Sequence, residues 1–129
     1  MSAFQPLALQ SNQPFAVFQK TGTYGAGAAT VRDPMINFIR MNNATAAVTL
    51  STEAMVNGRP IAVHSTLDGA QVLPPSGWTV VLYNGGTLDA NNNGITGGAG
   101  TNGFHCFLVP DFTNQELVVF APDNVIGVA

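Results

Sequence analysis

The stretch NGRPIAVHSTLDG, residues 57–69, carries the reading of the fold. Between an Asn-Gly and an Asp-Gly pair it sets Ile61, Val63, Ser65 and Leu67 on one parity and Ala62, His64 and Thr66 on the other. That is the period of two expected of a half-buried strand. Asn-Gly and Asp-Gly supply the positive φ angles that two-residue hairpins need. The signal appears four times, at Asn57-Gly58, Asp68-Gly69, Asn84-Gly85 and Asn102-Gly103. The first two read as tight hairpins, and the last two as the limits of one long loop.

Outward from this segment, further strands are predicted at 15–18, 35–41, 46–50 (with a possible extension over 51–56), 60–67, 70–73, 78–83, 104–109 and 116–121. A short terminal edge is predicted at 125–128. Residues 78–83, WTVVLY, are the densest in aromatic and β-branched side chains. In MINFIRM, 35–41, Met35, Asn37, Ile39 and Met41 share one parity and Ile36, Phe38 and Arg40 the other, so both faces are partly apolar, as in an inner strand of a sandwich. TGTYGAGAAT, 21–30, is glycine-rich and reads as a loop or a loosely paired edge. Pro74-Pro75 ends the strand before it, because proline lacks the ladder donor. No segment has persistent helical spacing. The sequence therefore predicts an all-β protein: a single antiparallel β-sandwich, jelly-roll-like or small barrel domain over 15–129, preceded by an extended N-terminal arm at 1–14. Residues 84–103, with little apolar material, are expected to form a long Gly/Asn-rich surface loop.

Composition restricts the function. At 129 residues the chain can bury roughly two thirds of its unfolded surface and fold without staples. Its single cysteine, Cys106, excludes an internal disulfide framework. The N-terminus lacks a basic region followed by an apolar run, and no stretch approaches ~20 apolar residues, so a soluble, unprocessed polypeptide with no membrane partner is expected. Asp, Glu, Lys and Arg make up only 9% of the chain, against about 25% in typical soluble domains. Four basic residues, Lys20, Arg32, Arg40 and Arg59, and a net charge of −3 leave no patch able to neutralise several phosphates, so nucleic acid is not an expected partner. A neutral surface rich in Ala, Thr, Asn and Gly suits burial in subunit contacts.

No chemical motif stands out. Asp89-Ala90-Asn91-Asn92-Asn93-Gly94 matches the opening of a calcium loop, but its twelfth position is Gly100, not the closing glutamate, and it holds one carboxylate. His105 and Cys106 are adjacent, so on a strand they face opposite sides and cannot form a thiolate pair; His64 could approach either across the sheet. The seven carboxylates fall singly, mostly beside turns, with no pair to nominate for acid–base chemistry. Trp78 and Tyr83 differ in parity and cannot share one stacking platform, which places one in the core and the other at an interface. Asn43-Ala44-Thr45 is a glycosylation sequon without a secretory signal beside it. No catalytic, metal or cofactor residue is nominated and no enzyme is expected.

A small, charge-poor, cysteine-poor β domain with an extended arm and a Gly/Asn-rich loop resembles, in overall style along the chain, the decoration or cement proteins of tailed-bacteriophage capsids. The resemblance implies a structural virion protein on the capsid exterior: a homo-oligomer, commonly a trimer, seated on the major capsid protein and tying its subunits together. The candidate interface residues are Phe4, Leu7 and Leu9 of the arm, Tyr24, Tyr83, and Asn91, Asn92 and Asn93 of the loop. The competing expectation is a carbohydrate- or receptor-binding β-sandwich module of a virion spike or secreted enzyme.

Overall fold

The computed structural model describes residues 20–100 and 102–129. The expected arm at 1–14, with Phe4, Leu7 and Leu9, and the strand expected at 15–18 lie outside the described residues. Twelve strands are found among the described residues: β1 (Lys20–Tyr24), β2 (Gly27–Val31), β3 (Ile36–Met41), β4 (Ala46–Leu50), β5 (Ile61–Ser65), β6 (Gln71–Leu73), β7 (Thr79–Asn84), β8 (Thr87–Asn92), β9 (Ile95–Gly97), β10 (Phe104–Asp111), β11 (Glu116–Ala121) and β12 (Val125–Gly127). They form a seven-stranded sheet, β1-β3-β5-β10-β11-β7-β8, and a five-stranded sheet, β12-β9-β6-β4-β2. The protein is all-β and has the form of a β-sandwich.

The sheets are mixed, which corrects the antiparallel expectation. From β1 to β6 the chain alternates between sheets, so β1, β3 and β5 pair in parallel in one and β2, β4 and β6 in parallel in the other. The turns at Asn57-Gly58 and Asp68-Gly69 are therefore not hairpins, since each passes the chain from one sheet to the other. Local turn chemistry reverses the chain but does not choose the partner strand. Here the choice falls to burial: crossing over lets successive strands press their apolar parities on the same intersheet core. The parallel ladders and the open edges of both sheets correct the jelly-roll and barrel alternatives. The expected extension of β4 over 51–56 is instead a 3-10 turn at Thr52–Ala54.

The long loop expected at 84–103 is also corrected, because it contains β8 and β9. Asn84-Gly85 opens a true two-residue hairpin: Asn84 pairs with Thr87 across Gly85 (φ 54°) and Gly86 (φ 87°). β8 has almost no buried side chain and is held at the sheet edge by its ladder to β7, so hydrophobic patterning could not reveal it. The glycine-rich 21–30 segment supplies the edge strands β1 and β2, and β12 is the predicted terminal edge.

Between the sheets, Ile39, Met41, Ile61, Val63, Leu82, Leu108, Leu117 and Val119 of the larger one pack with Val48, Leu50, Val72, Ile95 and Val125 of the smaller. Each such burial contributes roughly 1.5–3 kcal/mol before chain entropy is opposed. The alternation read in 60–67 holds as far as Ser65, with Ile61, Val63 and Ser65 inward; Leu67 lies beyond the strand and is exposed. Arg59, also buried, donates to the carbonyls of Pro34 and Ala54 and so anchors the crossover into β5.

Candidate functional site

The same alternation that fills the core leaves a second set of apolar residues on the outer face of the seven-stranded sheet. In β10, Phe104, Cys106 and Leu108 point inward, while His105 and Phe107 are exposed and Val109 is half-buried. In β11, Leu117 and Val119 point inward and Val118 and Phe120 outward; in β7, Val80 and Leu82 point inward and Val81 and Tyr83 outward.

Register aligns these outward residues into rows. One row crosses all seven strands: Thr21, Phe38, Ala62, Phe107, Phe120, Tyr83 and Leu88. Phe107, Phe120, Tyr83 and Leu88 are 52%, 51%, 42% and 57% exposed. The Tyr83 and Phe120 rings stack with centroids 5.6 Å apart and planes 11° from parallel. Scattered exposed apolar residues are ordinary, whereas these four stand side by side on adjacent strands. A second apolar row, Val109, Val118 and Val81, runs beside it.

Charge flanks these rows on opposite ends. Beyond the aromatic row lie Thr23, Arg40, His64 and His105, in register across β1, β3, β5 and β10. Beyond the valine row lie Asp111, Glu116 and Thr79. The face thus has one cation, Arg40, beside two histidines at one end, an apolar middle and two carboxylates at the other end. The two ion pairs among the described residues lie elsewhere, joining Lys20 to Asp33 at 2.8 Å and Arg32 to Glu53 at 2.9 Å.

Of the predicted interface residues, Tyr83 lies in the aromatic row, one strand in from the β8 edge. Tyr24 is half-buried and packs against the core from edge strand β1; burial is the main reason its hydroxyl is pushed above the usual tyrosine range. Asn91 and Asn92 belong to β8 and Asn93 follows it, all at the far edge of the same sheet. The Asp89–Asn93 segment runs along β8, bulged where Asn91 takes a left-handed φ of 65°, instead of coiling round a centre. Asn92 spends its carboxamide on the carbonyl of Asp89. Among the described residues no group of three His, Cys, Asp or Glu side chains comes together.

Phe38, Phe107, Phe120 and Leu88 were not singled out from sequence. A signal existed for two of them: FHCF and LVVF each carry large apolar residues on both parities, and a strand with one face in the core must expose the other. What sequence could not supply was the register that places the rings side by side.

The other constellations separate or meet without a pocket. Cys106 is buried and its thiol is pushed up to about 12 by desolvation, while His105 stands on the opposite side of the strand. His64 faces His105 directly, as allowed from sequence, but their row carries Arg40 and no carboxylate. Asp111 and Glu116 face each other across the β10–β11 hairpin, a pairing not nominated from sequence. Hydrogen bonds from the Asn114 side chain and backbone hold Asp111 below the usual carboxylate range, the reverse of what a proton donor needs. Trp78 is buried and meets Phe112 edge-on at 5.1 Å, whereas Tyr83 is outside, the division predicted from parity.

No protein-family model matches this chain, and comparison with known proteins by sequence and with solved structures by shape finds no match.

Proposed function

We propose that this chain is a structural protein of the capsid-decoration kind, working by surface contact: a self-associating β plate that seats on the major capsid protein on the exterior of a viral shell and stiffens it. The observation that carries the reading is the run of exposed Phe107, Phe120, Tyr83 and Leu88 across four adjacent strands of the larger sheet, on a chain with only 9% charged residues. Aromatic cores with little charge are what protein interfaces use, and neutral Ala, Thr and Asn surroundings desolvate cheaply. Repeated seating on a symmetric lattice turns modest contacts into high avidity.

Gradient sedimentation of the full chain with expanded tailed-phage capsids lacking their own decoration protein tests this. Saturable binding at a fixed copy number per shell is expected. A second reading, carbohydrate binding, draws on the exposed, stacked Tyr83 and Phe120 rings. A chain that ignores capsids but gains melting temperature with a particular sugar would establish that reading and overturn the first.

A further inference from the structure

We infer that the partner for the aromatic face of the seven-stranded sheet is a second copy of this chain, packed face to face about a two-fold axis with strands running in opposite directions. This rests on the reading of that face as a contact surface and names what covers it.

The argument is the order of the rows. Along β10 the outward residues run His105, Phe107, Val109 and Asp111, so the row that holds Arg40 and the two histidines, two apolar rows and the carboxylate row follow one another. A two-fold axis lying between the apolar rows, in the plane of the interface, lays one copy's Phe107 row over the other's Val109 row. It also carries the Arg40, His64 and His105 end of each copy toward the Asp111 and Glu116 end of the other. The face is thereby self-complementary, which is the condition for an isologous contact. Arg40 stands on β3 and Glu116 three strands away on β11, so matching them tilts the axis and crosses the two strand directions. Twisted sheets packed face to face cross in the same way.

Size agrees. With strands ~4.8 Å apart and a rise of ~3.3 Å per residue, the face from β3 to β8 between the two charged rows is roughly 24 Å by 20 Å before side-chain relief is added. That is a flat footprint of roughly 480 Å², which side-chain relief extends toward the ~800 Å² per partner of a standard interface. At the centre stand the half-exposed rings of Phe107, Phe120 and Tyr83, the residue types that carry most binding energy when fully desolvated. Arg40 is exposed, and Glu116 is half-buried at the opposite end, so each can meet a partner's charge.

Light scattering on the full chain tests the pairing through a charge swap. Wild type should have the mass of two chains at about 100 μM, and Phe107→Ser with Phe120→Ser the mass of one. Arg40→Glu and Glu116→Lys should each weaken self-association by about tenfold or more, because like charges then meet at both ends of the pair. Mixing these two variants should restore the mass of two chains, since each new charge meets its opposite. Circular dichroism and melting of every variant confirm folding, and the mixing arm compares only folded proteins. A monomeric wild type would overturn the inference, whether its face is bare or covered by its own first 19 residues; so would a trimer, or a dimer indifferent to the swap. Capsid binding by a monomer or trimer would leave the decoration reading standing, so the two failures are distinguishable.

Discussion

The thiol of Cys106 points into the core while its neighbours His105 and Phe107 point to the outer face, and its chemistry follows from that side. Burial holds the neutral form up to about pH 12, whereas an unfolded thiol ionises near ~8.5. The sign is therefore fixed: the contribution to stability is intact below the unfolded value and is lost as pH rises through the window toward the folded one. Cys106→Ala should flatten the alkaline limb of the stability curve, and an aromatic disulfide reagent should label wild type only at the rate of unfolding. Rapid labelling of the native protein would contradict this placement. Two adjacent glycines make a second contrast. Gly85 and Gly86 both have positive φ, but a Cβ on Gly86 meets open space, whereas one on Gly85 would lie 2.8 Å from the Cβ of Asp123. Gly86→Ala should cost about 1 kcal/mol through strain alone, and Gly85→Ala more, as read by urea melts.

Single strands present apolar residues on both sides, one side to the core and the other to solvent. In β11, Leu117 is fully buried and Phe120 half exposed. Leu117→Ala should cost about 2–5 kcal/mol through lost burial and a cavity. Phe120→Ser should cost about 1 kcal/mol or less, the worth of the cross-strand stack with Tyr83, while abolishing association. Chemical denaturation beside light scattering checks both, and a large stability loss in Phe120→Ser would mark the ring as structural. The inward half of this pattern was legible in the alternation of 104–109 and 116–121. The outward half was not, because one strand's parity names an exposed phenylalanine without saying what stands beside it. β8 was illegible for a related reason: an edge strand with a polar sequence is specified by its partner's backbone and by the Gly85-Gly86 turn, and neither leaves a hydrophobic period.

Across the whole molecule, the parallel ladders are the costly feature. β1, β3 and β5, and β2, β4 and β6, pair only after the chain has crossed between sheets, so their loop entropy is spent before any ladder forms. Most contacts join distant parts of the sequence, and refolding should fall in the range of milliseconds to seconds typical of such β topologies. Stopped-flow tryptophan fluorescence, with Trp78 buried beside Phe112 as the reporter, measures this; a microsecond phase carrying the full amplitude would refute it.

Sequence alone determined the class: period-two alternation, β-branched runs and recurrent turn pairs demand strands, and 9% charge predicts a surface adapted to contact. It also set Ile61 and Val63 on one face of their strand, opposed His105 to Cys106, and divided Trp78 from Tyr83. Tertiary structure alone decided which strands are neighbours. At Asp68-Gly69 neither residue takes the positive φ of a two-residue hairpin, and β6 crosses to the other sheet, where Val72 joins the shared core. That choice sets the register, and the register brings Phe38, Phe107, Phe120, Tyr83 and Leu88 from five separate strands into one row.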